Sequence, residues 1–275
     1  MNRDCDNSAC DKASCESCPS RRNPSDFTAP MNASSRVKKL IGIVSGKGGV
    51  GKSSVCALLA VALRRRGYRV GILDADVTGP SIPHLFGIHQ IPGALGEDML
   101  PAETVTGIKI ISVNLLLADS GTPVVWRGPV LASVIKQFWS NVVWGELDYL
   151  LVDMPPGTGD VPLTVFQSLP LDGIFLVTSP QSLVGMVVEK AYHMAEMMHI
   201  PVLGIIENYS YMLCPDCGKK ILLYGEGKTA AWAQEKGVPL VLELPLDPAI
   251  GAYGDEGRIE YYSGREAEQV LAYLP

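Results

Sequence analysis

Leu40-Ile41-Gly42-Ile43-Val44-Ser45-Gly46-Lys47-Gly48-Gly49-Val50-Gly51-Lys52-Ser53-Ser54-Val55 is the stretch on which the fold turns. It passes from an apolar strand pattern through a glycine-rich loop into a helical pattern, and residues 46–53 satisfy G-x-x-x-x-G-K-S/T. That context separates a phosphate-binding loop from an ordinary glycine-rich turn. Glycines remove the Cβ atoms that would clash as the backbone curls, so successive N–H groups can face phosphate oxygens. The following helix adds the partial positive charge of its N-terminus. The motif therefore assigns Gly46, Lys47, Gly48, Gly49, Val50, Gly51, Lys52, Ser53 and Ser54 to nucleotide binding. Lys52 is expected at the β- and γ-phosphates and Ser53 on Mg2+.

Outward from this loop, short apolar runs alternate with helical patterns. Strands are predicted at Leu40–Ser45, Val70–Asp74, Ile108–Leu115, Tyr149–Asp153, Gly173–Thr178, Val202–Glu207 and Leu240–Leu244, and helices at Lys52–Arg66, Val130–Val143, Leu183–Met198 and Lys228–Lys236. Nearly continuous apolar strands followed by helices predict an α/β fold with a mainly parallel sheet flanked by helices on both faces. Ligands of such sheets bind beyond the carboxyl ends of the strands. Asp153 ends an apolar run there and is expected to reach Mg2+, directly or through water. Asp74 and Asp76 end another; Asp76 is the stronger candidate, and Asp74 the next, to orient the attacking water or support the metal shell, a strand-end Asp being otherwise a turn or helix cap. Pro155-Pro156-Gly157-Thr158-Gly159-Asp160 has the composition of a switch loop that senses the γ-phosphate.

The chain has 275 residues and a net charge of −6, which argues against a generally basic nucleic-acid surface. No run approaches the ~20 apolar residues of a membrane helix. The N-terminus lacks the apolar core of a signal peptide, so a cytoplasmic protein with no membrane partner is expected. Seven cysteines in a reducing compartment point to metal or redox chemistry rather than disulfides. Four of them, Cys5, Cys10, Cys15 and Cys18, lie in residues 1–36, a Cys-rich tail and linker with almost no aliphatic side chains, ahead of a nucleotide-binding domain at 37–275. Their spacing is compatible with a cluster, with zinc, or with a loose metal-collecting tail. Cys214-Pro215-Asp216-Cys217 supplies two thiolates, whereas a 4Fe-4S cluster or a closed zinc site takes four ligands. A two-fold axis would bring two such pairs together. Spacing alone leaves zinc, iron, a redox pair and two unremarkable buried cysteines open. Cys56, among Val55, Ala57 and Leu58, reads as core packing. The four histidines form no ligand pair.

Lys47 is more than the phosphate-loop pattern requires. The run GKGGVGKS resembles the deviant Walker A group that includes MinD, ParA, the arsenite-pump ATPase and the nitrogenase iron protein. In that group the matching lysine reaches across a homodimer to the partner's nucleotide, which gives Lys47 a catalytic role alongside Lys52, Asp76 and Asp153. LDADVTGPSIPHLFG (73–87), VWRGP (125–129), DMPPGTGD (153–160), ENYSYMLCPDCG (207–218) and ELPLDPAI (243–250) narrow the resemblance to Mrp/ApbC-type iron–sulfur carrier ATPases, from Lys38 to Asp255. The resemblance implies a cytoplasmic homodimer that uses ATP slowly. It would hold a 4Fe-4S cluster at the dimer interface through Cys214 and Cys217 and pass it to apo iron–sulfur proteins, working with cluster-assembly factors. It places Asn208, Pro245 and Leu246 at the adenine ring, a role the Asn amide suits as both donor and acceptor. Arg127 belongs to one motif without an evident task. A MinD- or ParA-like positioning switch and a nitrogenase-like reductase are the alternatives. The first would require a basic membrane helix or a basic DNA surface, but the end, residues 264–275, is short and acidic.

Overall fold

The computed structural model describes residues 28–76, 81–96, 98–116, 128–180, 184–225 and 227–275. Its centre is β1 (Arg36–Ser45), exposed at Arg36 and Lys38 and buried from Leu40 onward as the chain dives into the sheet. α1 (Lys52–Arg65) follows and buries ten side chains, from Lys52 to Leu63. Then come β2 (Val70–Asp74), the short α2 (Ser81–Leu85), a hairpin of β3 (Gly93–Leu95) and β4 (Asp98–Leu100), β5 (Ala102–Glu103) and β6 (Lys109–Ser112). α3 (Gly128–Ser140), β7 (Glu146–Asp153), α4 (Asp160–Ser168), β8 (Gly173–Thr178) and α5 (Val184–Met197) make the middle of the chain. The last third is β9 (Val202–Leu213), β10 (Lys220–Ile221), α6 (Thr229–Lys236), β11 (Leu240–Pro245) and α7 (Pro248–Asp255).

Apart from the β3–β4 hairpin, which is a sheet of its own, the strands form one sheet in the order β10-β9-β8-β1-β7-β2-β6-β5, with β11 also on β9. β1, β2, β6, β7, β8, β9 and β11 run parallel; β5 and β10 are antiparallel additions at its ends. This is the expected architecture, and its cause is visible in the alternation of the buried strands. Ile41, Ile43, Ile72, Leu151, Phe175 and Val177 face a core closed by α1 and the C-terminal segments. Leu40, Val44, Leu73, Val152, Ile174 and Leu176 face a second core with α3, α4 and α5. A strand apolar on both faces is stable only with a helical layer on each side.

Differences from the sequence reading are local. Ile108–Leu115 is a strand only from Lys109 to Ser112 and continues as a 3-10 turn at Val113–Leu116. β9 runs six residues beyond Glu207, carried by pairing with β11 and then β10. Residues 28–35 lie against the domain: Ala29 N–H donates to the Ser168 carbonyl at 2.9 Å, the Trp139 indole donates to the Ala29 carbonyl at 2.9 Å, and Asn32 donates to Asp98 at 3.0 Å.

Candidate functional site

Parallel strands put their carboxyl ends, and the loops that follow, on one edge of the sheet. β1 delivers the loop 46–51 there, β2 delivers Asp74 and Asp76, and β7 delivers Asp153. Asp153 is in register with Ile43 on one side and Asp74 on the other. Gly51 caps α1 in the left-handed region at φ 76°, and no side chain caps the helix. A Cβ at Gly51 would fall 2.2 Å from Asn208 Nδ2 and 2.7 Å from the Tyr209 hydroxyl, so only glycine fits. A cavity of about 300 Å³ opens against the first turn of α1. It is lined by Gly48 to Ser54, Asp76, Ser81, His84, Leu85 and Pro156.

Lys52 is 5% exposed in the first turn of α1, where the helix dipole disfavours a cation, so its charge needs partners. It has them: Nζ lies 2.5 Å from Asp153 Oδ1 and 3.5 Å from Asp76 Oδ2. Ser53 Oγ donates to the other Asp153 oxygen at 2.6 Å. Burial alone would lower the Lys52 ammonium, but the charges of Asp153 and Asp76 outweigh it and raise its pKa. Burial pushes the fully enclosed Asp153 carboxyl up, and Lys52 and Ser53 oppose that shift. Asp74 is turned away from the cavity. It accepts from Ser112 Oγ at 2.8 Å and from the Asp76 N–H at 3.1 Å, and burial, followed by the neighbouring Asp153, raises it well above the carboxylate range. Asp74 thus braces the segment that carries Asp76. The Ser53 hydroxyl and the Asp153 carboxylate share one point in space, a donor set that fits a hard cation such as Mg2+. Lys47 is half-buried, with its carbonyl held by Ser45 Oγ, and is not among the cavity's described lining residues.

The Asn208 amide donates to the Val50 carbonyl at 3.0 Å, and the Leu246 N–H donates to the Tyr211 carbonyl at 2.7 Å. Asn208 therefore lies beside the loop, within β9, and Pro245-Leu246 close β11 against Tyr211 of the same strand. Sequence reasoning missed Ser81 and His84 as cavity residues, although both stand in the quoted 73–87 motif, and it missed Tyr209 over Gly51.

Cys214 and Cys217 sit in the hairpin between β9 and β10. The Cys214 N–H donates to the Lys219 carbonyl at 3.0 Å and the Gly218 N–H to the Cys214 carbonyl at 2.9 Å. Cys214 is half-buried and Cys217 exposed. Backbone N–H groups of Cys217 and Asp216, then the Cys217 thiol, lower the Cys214 pKa and favour its thiolate, the metal-binding form. Among the described residues no group of three or more His, Cys, Asp or Glu side chains gathers as a metal site. Cys56 is fully buried and its thiol is pushed up by burial, consistent with packing. Cys5, Cys10, Cys15, Cys18 and Arg127 lie outside the described residues. No helix among the described residues is long and apolar enough to cross a membrane.

A family model described as "ParA: NUBPL iron-transfer P-loop NTPase" matches residues 36–274. The iron-sulfur cluster carrier protein of Methanocaldococcus jannaschii is 45% identical over 253 residues, 88% of this chain and 87% of that protein. Its namesake from Clostridium perfringens is 40% identical over 268 residues, 90% of this chain and 94% of that one. Among solved structures, the nucleotide-binding protein in complex with ADP from Archaeoglobus fulgidus is 43% identical with a TM-score of 0.76, covering 87% of this chain and 93% of that one. The cell-division ATPase MinD of Pyrococcus furiosus, 24% identical with a TM-score of 0.61 over 86% of this chain and 97% of its own, shares the fold. With strand order, loop geometry and these likenesses in agreement, the chain belongs to the NUBPL-type iron-transfer P-loop NTPases.

Proposed function

We propose that this protein binds and hydrolyses ATP in the 300 Å³ cavity and carries a 4Fe-4S cluster between two copies of itself, delivering it to apoproteins. The carrying observation is the hairpin of Cys214 and Cys217. It offers two neighbouring thiols to solvent, one of them with a lowered pKa, on a strand that also borders the phosphate loop. Two thiolates cannot close a four-ligand site, so a second copy related by a two-fold axis supplies the other pair. A shared site opens when the copies separate, which suits cargo rather than a resident group. The cytoplasm, a reducing compartment, fits such exposed thiols.

Gly46 opens the loop and, within the cavity, Gly48 to Ser54 cradle the phosphates, with Lys52 on the β- and γ-phosphates. Ser53 and Asp153 would hold Mg2+, which supplies charge neutralisation there. Asp76, next to Lys52, is the group placed to orient the attacking water, and Lys47 is assigned to the partner's nucleotide. Asn208, Pro245 and Leu246 read adenine. The Archaeoglobus relative in complex with ADP supports the nucleotide assignment. Cys5, Cys10, Cys15 and Cys18 are candidates for a second metal site.

Anaerobic reconstitution with iron and sulfide tests the reading. The expected result is a visible cluster absorption, acid-labile sulfide, and a dimer by sedimentation, all lost in Cys214→Ala and Cys217→Ala. Equal iron and sulfide in wild type and both variants would overturn it.

A further inference from the structure

β9 is one strand that touches both ends of the proposed machine, and the largest of its register shifts falls at one place. Between Glu243 and Pro245, β11 advances two residues while its β9 partners advance from Glu207 to Tyr211, four. The two extra residues form a bulge, a device that bends a strand and concentrates its twist. Tyr209 within it has φ 61°, a left-handed conformation that a bulky residue keeps only when its surroundings hold it.

The surroundings reach in both directions. On one side Asn208 donates to the Val50 carbonyl, and Tyr209 lies against Gly51, so the bulge rests on the phosphate loop. On the other side Glu207 is 4% exposed. One carboxylate oxygen accepts from Ser210 Oγ at 2.8 Å, while Oε2 has no hydrogen-bond partner. A Cβ on Gly227 would sit 3.2 Å from that orphan oxygen, so the segment leading from the cysteine hairpin to α6 passes directly over it. A buried acceptor without a donor is unfavourable, so an arrangement that supplies a backbone N–H from above is favoured once the bulge can shift. The hairpin itself is only three residues beyond Tyr211 along β9.

We propose that the bulge at residues 207–210 transmits nucleotide occupancy to the Cys214–Cys217 hairpin, with Glu207 as the positioning residue whose second oxygen captures the segment returning from that hairpin. The proposal deepens the carrier reading and rests on it for the meaning of the hairpin. With nucleotide in the cavity, Asn208 exchanges Val50 for the base, and the bulge relaxes. Glu207 then fixes the return segment at Gly227, so both strands of the hairpin move as one.

The test uses amide hydrogen exchange across residues 211–223 of the full chain, with and without a slowly hydrolysed ATP analogue. In wild type the analogue is expected to change exchange by about tenfold, within the usual range of coupling between sites. In Glu207→Gln the analogue should bind within about twofold of wild type while its effect on the hairpin falls below about threefold. Gly227→Ala, which wedges a methyl against the same oxygen, should give the same loss and stands in if the first variant does not fold. A wild-type hairpin indifferent to the analogue, or variants that respond as wild type does, would refute the coupling. Iron and sulfide content is read on the same samples. A chain that binds no iron yet keeps the nucleotide-dependent exchange sinks the carrier reading and leaves the coupling supported.

Discussion

Replacing Gly51 and Gly49 by alanine separates two effects that the phosphate loop combines. Both glycines have positive φ, 76° and 80°, so alanine pays the left-handed penalty at either, about 1 kcal/mol or a little more. Around Gly49 nothing lies within 4 Å of an added Cβ, and the penalty stops there. At Gly51 the methyl would meet Asn208 Nδ2 at 2.2 Å and the Tyr209 hydroxyl at 2.7 Å. Asn208 is 4% exposed and must give up its bond to the Val50 carbonyl to move. A buried bond lost this way adds about 1–2 kcal/mol. Gly51→Ala should therefore be less stable than Gly49→Ala by about 1–2 kcal/mol in urea unfolding, with equal slopes. Equal midpoints for the two variants would show that Asn208 and Tyr209 do not clamp the loop, and the contact between β9 and the nucleotide site would have to be abandoned.

Asp153→Asn leaves Lys52 buried with Asp76 as its nearest remaining charge, at 3.5 Å. The loss of half a buried pair should cost about 3 kcal/mol in urea unfolding, and wild-type stability would refute the pairing. Trp144 is fully buried, and its indole N–H donates to the Phe138 carbonyl at 3.0 Å. Trp144→Ala should lose about 3–5 kcal/mol on the same assay while leaving nucleotide affinity in the surviving folded fraction unchanged. The lowered pKa of Cys214 keeps its thiolate present as pH falls below the ordinary thiol value. Its alkylation by iodoacetamide, followed peptide by peptide, should reach half its maximal rate at a lower pH than glutathione does; a midpoint at or above that of glutathione would count against the hydrogen bonds drawn to its sulfur.

What the sequence could disclose was what lies close together in it. The phosphate loop is eight consecutive residues, and Asp153 stands at the end of an apolar run, so both are legible from spacing. Asp76 ranks only slightly ahead of Asp74 in the sequence, and the pairing of β2 with β6 gives the physical reason, because Ser112 at the end of β6 claims Asp74. α4 begins at Asp160, read as the end of a switch loop, and its Pro162 is no obstacle in a first turn. α7 carried its signal openly: Asp247 accepts from the Ala249 N–H at 2.8 Å and Pro248 follows it, a start pattern that went unread within the family motif. The bulge in β9 depends on β11 more than thirty residues away, and no local pattern encodes it, whereas the last residues of the extension, Met212 and Leu213, pair with the nearby β10.

With Lys52 on phosphate and Ser53 and Asp153 on the cation, as proposed, nucleotide and cation should act together. In the structure the Asp153 carboxylate takes both the Lys52 ammonium and the Ser53 hydroxyl. On the proposed assignment, phosphate entering the loop would compete with Asp153 for Lys52, and success would strip a fully buried carboxylate of its counter-charge. Only a second positive charge near Asp153 and Ser53 restores the balance, and those oxygens are the ones suited to a divalent cation. On the proposed assignment the interior pair would set a threshold: phosphate alone would leave Asp153 without its counter-charge, whereas phosphate with its cation would replace Lys52 on Asp153 as it takes Lys52 away.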